Sequence, residues 1–341
     1  MNKLRTLLLI VIPLTFVFQA KAQDDIDKFL GESVEDGEKL IGAYIAPAIK
    51  AFSLGMNQGW YNTAKPHKIA GIDLTFTGRL MTVPSSDQMF DANKLGLTKI
   101  VLVDEFGDPK SDGNIPTILG PDTPPTFSPN DPLSMGNTTD DFQGPGGLEL
   151  GSDVKFLKNK MPAAMVQLGF GLPKGTDVKL RLVPKTDVGD NGTFNLFGIG
   201  VMHDIKQYIP GIKNLPFDLS ALVGYTQMKL DVQLDATANP DQRGIFEVKA
   251  TTIQGLISKK LSVITFYGGV GYNIAKSSLA MQGTYDVGGT SVKDPVDLSF
   301  AASGMRATAG MRLKLAVLTF HADYTLQKYK ALTAGIGINV R

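Results

Sequence analysis

The chain has 341 residues, with 34 lysines and arginines against 33 acidic residues, and no cysteine. A net charge of +1 with both signs dispersed gives no basic face of the kind that binds nucleic acid. The lack of cysteine excludes disulfides, thiolate catalysis, cysteine metal sites and a lipid anchor attached to cysteine.

Residues 1–22 have the pattern of a signal peptide. A basic start is followed by an apolar run, Leu7 to Phe18, and Ala20-Lys21-Ala22 has the small residues of a cleavage site. The run is too short for a spanning helix, which needs about 20 apolar residues. The alternative is an uncleaved anchor. We predict an exported protein whose mature chain begins at Gln23.

Residues 24–52 repeat apolar side chains at the three- and four-residue spacing of an amphipathic helix. Pro47 is expected to kink or split this helix near Ala43, because proline lacks the amide hydrogen that an inner helical residue donates. The polar face is acidic, whereas helices that lie on membranes are usually rich in lysine and arginine. The segment therefore needs another surface to cover its apolar side.

Residues 59–62 join this helix to the first strand. They contain the only tryptophan of the chain, Trp60, followed by Tyr61 and Asn62. We predict that they form a joint between plug and wall. The two aromatic rings are expected at the inner membrane–water boundary, where amphipathic rings are favoured.

From Ile69 onward the apolar residues recur every second position, and this alternation returns as far as the C-terminus. Several runs last 10–15 residues, longer than most soluble strands and long enough to span a membrane. Hydrocarbon tolerates no unpaired sheet edge. The pattern predicts an all-β fold, a closed antiparallel transmembrane β-barrel of about 12 strands (range 10–14) with an N-terminal helical plug. The alternative is a soluble β-sandwich.

The polar face of these runs supplies the candidate lumen residues. They are Asp73, Arg79, Asp177, Lys179, Arg181, Arg306, Arg312, Lys314, His321 and Asp323. They either line a selective pore or pair with one another and with the plug. Pairing is preferred, because an open channel selects by leaving one sign unmatched. Arg306, Arg312 and Lys314 would attract the acidic plug, residues 23–58, into the barrel or against its inner mouth.

A weak internal repeat indicates hairpins within the barrel domain, residues 59–341. Lys260–Tyr267 recurs as Lys314–His321, and in both the apolar face changes parity midway, as a tight turn requires. We expect both turns, and the connection 204–216, at the inner end of the barrel. Residues 104–146 carry eight prolines and almost no periodicity, which predicts a long loop.

No catalytic or metal-binding signature is present in the sequence. His321 and Asp323 share one strand face and would suit a hydrolase, but no serine nucleophile lies on that face. A polar ladder facing the lumen is the preferred alternative. We predict no enzyme activity, no metal and no cofactor.

The helical preface, the Gly/Asn-rich joint, the long strands and the connection MHDIKQYIPGIKNLPFDLS resemble an uncharacterised Gram-negative outer-membrane family, a domain of unknown function. The layout is more distantly similar to FadL-type transporters of long-chain fatty acids and other hydrophobic compounds, in which an N-terminal hatch plugs the barrel. The chain departs from many barrels in ending with Asn339-Val340-Arg341 instead of Phe or Trp.

The signal, the strands and the resemblance together predict a protein of the cell outer membrane, in contact with outer-membrane lipid, that mediates passage of a small hydrophobic solute. The alternative is a non-transporting barrel with a structural or assembly role, for which the 104–146 loop would be the contact surface. The sequence identifies neither the solute nor the oligomeric state.

Overall fold

The computed structural model describes residues 33–130, 141–148, 159–189, 191–235, 239–287 and 290–340. The predicted signal peptide, 1–22, lies outside the described residues, as do residues 23–32 of the predicted plug.

Ten antiparallel strands form one sheet that closes on itself. The closing strand, β1 (Ile72–Thr82), pairs with β17 (Lys330–Val340) on one side and with β7 (Lys160–Leu172) on the other. The other wall strands follow in chain order: β8 (Thr176–Val188), β9 (Gly192–Asp204), β10 (Asp218–Asp235), β11 (Asn239–Leu261), β12 (Ile264–Gln282), β15 (Val296–Leu315) and β16 (Leu318–Leu326). Ten is the lowest number in the predicted range.

The predicted hairpins are confirmed. The β11–β12 and β15–β16 turns begin at Ser262 and Ala316, with φ of 56° and 54°. Two-residue turns with positive φ match the twist of the flanking strands, and here the sheet imposes that φ on residues other than glycine. The connection 205–217 contains a short 3₁₀ helix, Lys206–Tyr208, and lies at the same end of the barrel. We call this end, where β1 begins and β17 ends, the turn end.

The opposite end, which we call the loop end, carries the segment 83–159 between β1 and β7. Its described residues form short strands that pair among themselves: β2 (Met89–Asp91), β3 (Ile100–Val103), β4 (Asn114–Pro116), β5 (Thr126–Pro129) and β6 (Phe142–Gln143). A separate apolar cluster around Phe127 supports them. The predicted loop 104–146 is therefore partly folded, and the described part adds no strand to the wall. A small hairpin, β13 (Thr284–Val287) and β14 (Thr290–Lys293), also projects at this end.

One helix, α1 (Val34–Gly55), runs inside the ring. Its neighbours are β1, β7, β11, β12 and β15, which lie on different sides of the wall. Ser33 caps its start at the loop end, and its last turn lies deep in the lumen near Arg79. The predicted split near Ala43 is wrong, because the helix is continuous from Val34 to Gly55 with Pro47 buried inside it. The adjacent residues Ala48 and Ile49 pack in the main apolar cluster, and this packing outweighs the hydrogen bond that proline cannot donate.

The wall exchanges its polarity partway along the strands. Toward the turn end the outside is apolar, as at Val270 and Ile253, while the inside is polar. Toward the loop end the inside is apolar, as at Phe246 and Val248, while the outside carries Lys249 and ion pairs such as Lys229–Glu247. Only the turn-end half therefore has the apolar exterior and polar lumen of a barrel in lipid. We call this apolar outer surface the apolar band. Beyond it, toward the loop end, the same strands form a second section of the barrel whose outer surface is charged and faces water.

This division predicts unequal costs for the same substitution on one outer surface. V270R places a charge in the middle of the apolar band, where it should cost about 2–4 kcal/mol of folding free energy. A301R, on the outward face of the neighbouring strand toward the loop end, should change the free energy by less than about 0.5 kcal/mol. Urea unfolding in lipid vesicles measures both. Equal costs would contradict the assigned band.

Candidate functional site

The candidate site is the lumen of the turn-end half of the barrel, the half whose outer surface is apolar. The structure places all ten predicted lumen residues on the inward face of the wall; nine are buried and Lys314 is half-buried. They do not form one constellation. They lie in layers that follow the plug segment from the end of α1 toward the turn end.

Three arginines from three separate strands converge on the end of the helix. Arg181 donates from Nη1 to the Met56 carbonyl at 2.8 Å and from Nη2 to the Gln58 carbonyl at 2.7 Å. Arg306 donates to the Asn57 carbonyl at 2.9 Å and to the Gln58 Oε1 at 2.6 Å. Arg79 donates to the carbonyls of Gly55 and Gln58. Four consecutive carbonyl groups, 55–58, are thus bound by guanidinium groups of the wall.

This arginine cluster, Arg79, Arg181 and Arg306, replaces what the helix lacks. A helix ends with unsatisfied carbonyls and partial negative charge, which cations stabilise, yet α1 has no basic residue in its last turn. The wall supplies three, all nearly inaccessible to solvent. The expected pairing of Arg306, Arg312 and Lys314 with the acidic face of the plug is not seen among the described residues, because Glu35 and Asp36 lie in the first turn, at the other end of the helix. The acidic residues before Ser33 lie outside the described residues.

The next layer contains the predicted joint residues. Trp60 is completely buried, so its predicted position at the membrane boundary is wrong. Its indole ring lies 3.6 Å from the Arg181 guanidinium carbon and against Gly200 and Gly224 of the wall. A Cβ atom at Gly224 would come within 2.6 Å of the ring, so only glycine leaves the space. The predicted boundary position of Tyr61 is wrong for the same reason: it is buried and packs edge-on against Tyr267. Asn62 follows, half-buried.

The layer nearest the turn end is centred on His67. The Asp177 carboxylate accepts from the His67 backbone amide at 2.8 Å and lies 2.7 Å from Nδ1. The other ring nitrogen is 2.5 Å from the Asn339 amide and 3.5 Å from Asp73. Lys179 completes the group, 3.6 Å from Asp177. These contacts fix His67, in the segment between the joint and β1, to strands β1, β8 and β17.

The predicted pair of His321 and Asp323 is not a catalytic pair in this geometry. Asp323 accepts a hydrogen bond from the Tyr267 hydroxyl at 2.9 Å, and no bond joins it to His321 among the described residues. Both side chains are buried beside the plug segment. Within the described chain there is also no cluster of three side chains suited to a metal ion.

Two carboxylates fasten the loop end. Asp36 of α1 accepts from the backbone amides of Thr98, Lys99 and Ile100, at 2.7–3.2 Å. Asp87, just beyond β1, accepts from the Tyr329 hydroxyl at 2.5 Å and pairs with Lys328 at 2.9 Å. Burial alone would raise the pKa of Asp87, but the hydrogen bonds from Tyr329 and Lys328 outweigh it and hold the pKa below its usual value. The first contact ties the helix to the loop segment, and the second ties that segment to the wall.

Comparison with known proteins identifies a family. The family of unknown function DUF6588 matches residues 1–340, so the predicted membership of such a family is confirmed. A search of curated proteins gives no match. No helix in the described ranges is long and apolar enough to cross a membrane.

Three solved structures, all outer-membrane β-barrels, show the breadth of the structural likeness. The translocator domain of autotransporter NalP from Neisseria meningitidis is 9% identical, with 85% of this chain and 93% of that chain covered and a TM-score of 0.31. The attachment invasion locus protein Ail of Yersinia pestis, in complex with the heparin analogue sucrose octasulfate, is 10% identical. The match covers 80% of this chain and 99% of that chain, with a TM-score of 0.27. A Pseudomonas aeruginosa FadL homologue is 8% identical, with 79% of this chain and 89% of that chain covered and a TM-score of 0.20.

The arginine cluster predicts that charge alone cannot hold the plug. R181K keeps the charge but loses the two-pronged contact with the carbonyls and the stacking on Trp60, so we expect a loss of about 1.5–3 kcal/mol. Hydrogen exchange of amides 50–58 should accelerate at least about tenfold while the barrel keeps its heat-modifiable gel migration. R312K is the matched control, because Arg312 is buried in the lumen without a hydrogen bond to the described helix. Equal acceleration in both variants would contradict the assignment.

Asp87 predicts a pH dependence at the loop end. Because its folded pKa is depressed, its contribution is present above the unfolded value of about 3.9 and is lost as the pH falls through the folded value. The difference in melting temperature between wild type and D87N should therefore be constant from pH 8 to pH 5 and shrink below about pH 4. D108N, which removes a carboxylate at an exposed position of the same segment, serves as the control.

Proposed function

We propose that this chain, which belongs to the DUF6588 family, is an outer-membrane barrel that mediates passage of a small hydrophobic solute and is closed at rest by the plug, α1 with residues 56–58. The sidedness follows from the general rule that outer-membrane barrels have short periplasmic turns and longer outer loops. The loop end then faces outward and the turn end faces the periplasm.

The observation that carries the proposal is the lining of the outer half of the lumen. Its wall side chains are mainly methionine and phenylalanine: Met81, Met161, Met165, Phe194, Leu196, Met228, Phe246, Val248 and Phe300. A water-filled pore for polar solutes would be lined with polar groups. Methionine also adapts its shape to different apolar ligands. If the helix leaves, this surface becomes an apolar chamber open to the loop end.

The helix occupies that chamber with matching chemistry. Ile41, Ile45, Ile49 and Phe52 are buried against it, and Phe52 packs on Phe246 with ring centroids 5.9 Å apart. Each such side chain stabilises the closed state by about 1.5–3 kcal/mol relative to water. An entering apolar solute would offset part of this loss by covering the same wall surface, which couples solute binding to movement of the helix.

The second candidate is a non-transporting barrel with a structural or assembly role. The observation in its favour is that the plug is fastened at two levels, by Asp36 and by the arginine cluster, and that the segment after it is fastened at a third, by His67. In that case the partly folded loop segment, including residues 104–146, is the contact surface.

A reversible lock separates the two candidates. The hydroxyls of Ser53 on the helix and Ser277 on β12 are 3.2 Å apart, and the chain has no native cysteine, so S53C/S277C offers a disulfide between plug and wall. In Gram-negative cells lacking their own fatty-acid channel, uptake of radiolabelled oleate should fall to background when this variant is oxidised and return on reduction. Each single-cysteine variant should be unaffected by oxidant.

Two results would contradict the proposal. Oleate uptake by the oxidised double variant equal to that of the reduced one would mean that the helix need not move. Absence of uptake in every form, together with normal heat-modifiable barrels, would support the non-transporting candidate.

A further inference from the structure

We infer that the turn end binds the anionic headgroups of phospholipids through an arc of lysines at three neighbouring connections, the turn-end lysines Lys174, Lys213, Lys259 and Lys260. This inference rests on the proposed orientation, in which the turn end lies in the periplasmic leaflet. It assigns a lipid-binding surface at the rim of the wall, distinct from the lumen.

The charge of the turn end is one-sided. The segments at this end contain seven lysines and two aspartates, a net charge of +5 with histidine neutral; they are residues 62–71, 173–175, 204–218, 259–263 and 316–317. The described loop segment, 83–130 and 141–148, contains eight acidic residues and three lysines, a net charge of −5. The overall charge of +1 conceals this separation.

The register of β11 places Lys259 at the edge of the apolar band. Ile253 and Ile257 point outward into the band and are half-exposed, and Lys259 is the next outward residue toward the turn end. A strand rises about 3.4 Å per residue, so the Lys259 Cα lies about 7 Å beyond that of Ile257. Lys260 follows near the turn, exposed at the barrel mouth on the face of the strand that it shares with the inward Ser258. Side chains at this depth reach the headgroup layer while their stems remain beside hydrocarbon.

Exposed apolar side chains lie between the lysines. Leu261 and Val263 flank the β11–β12 turn, Leu172 precedes Lys174, and Leu215 follows Lys213; each is more than 40% exposed. A binding surface for a soluble acidic protein would be basic throughout. Lysines that alternate with apolar side chains instead match a phospholipid, because the lysines can contact the headgroup while the apolar side chains contact the acyl chain beneath it. This alternation favours a lipid over a protein partner.

The carboxylates at this end contact groups other than the four turn-end lysines. Asp204 accepts from the Lys206 backbone amide at 2.9 Å, and Asp218 lies 3.4 Å from the Ser258 hydroxyl. Asp177 and Asp73 face the lumen around His67. Within the described chain none of the four turn-end lysines forms a salt bridge, so their charge is available to an external anion.

The test compares two quadruple variants with the same change of charge. K174Q/K213Q/K259Q/K260Q removes the turn-end charges and keeps most of each stem. K99Q/K110Q/K293Q/K330Q, at exposed positions of the loop end, is the matched control. Each protein is delipidated in neutral detergent and titrated with phosphatidylglycerol or phosphatidylcholine, and bound lipids are counted by native mass spectrometry.

A lysine near an anionic membrane surface contributes on the order of a fivefold preference. We therefore expect the turn-end variant to bind phosphatidylglycerol at least about tenfold more weakly than wild type, with phosphatidylcholine binding unchanged and the control like wild type. The preference should also fall with added salt.

Equal loss in both variants would reduce the effect to net charge and overturn the inference. Unchanged phosphatidylglycerol binding in the turn-end variant would overturn it as well. A failure of the proposed function is distinguishable, since it appears as absent oleate uptake in cells, whereas lipid binding by the purified barrel does not depend on transport.

Discussion

The contact between wall guanidinium groups and the carbonyls of residues 55–58 is the constraint on which the lumen depends. Arginines buried at this depth are costly unless every charge finds partners, and carbonyls at a helix end need donors. Here the carbonyls of residues 55–58 receive donors, and each of the three guanidinium groups gains two acceptors. Because the donors come from β1, β8 and β15, they hold the helix end near the centre of the ring. They also fix how far the helix reaches along the barrel axis, and therefore which wall residues contact its apolar face.

The exchange of polarity along the wall follows from the same depth. Beside the arginine cluster the lumen must be polar, and the lipid outside must meet apolar side chains. Beyond it the helix presents isoleucines to the wall, so the interior becomes a core of the kind found in soluble proteins, and charges such as Arg243 and Asp231 move outside. One set of strands thus serves two environments, with the helix end near the boundary between them.

Much of this architecture could be predicted from the sequence, because strand alternation depends only on local spacing. Both short hairpins, the connection 204–216 and the inward face of the charged strands follow from period and parity. The partners of the inward charges do not. Arg181 and Arg306 bind backbone carbonyls, which every residue possesses, so no sequence pattern marks the acceptors.

The position of Trp60 fails for a similar reason. Its pocket is created by the absence of side chains at Gly200 and Gly224 on two other strands, and glycines alternating in a strand have no single meaning in sequence. The continuity of α1 through Pro47 is likewise a tertiary effect. The inward face of β11 changes from polar at Thr252 to apolar at Val248. This change indicates the two sections of the barrel in the sequence, but only if the position of each residue along the strand is considered as well as the side of the sheet to which it points.

The direction of the helix has a consequence for assembly. Ser33 lies at the loop end and Val340 at the turn end, so the described chain traverses the ring eleven times, ten times as wall and once through the centre. A rod tethered at the turn end and emerging at the other end cannot be added sideways to a finished ring. Either the helix lies in the groove of an open sheet before β1 meets its second neighbour, or its leading end is threaded through a completed wall. The first route requires no passage of buried isoleucines along a polar lumen, and it makes the seam of β1 the last element to form.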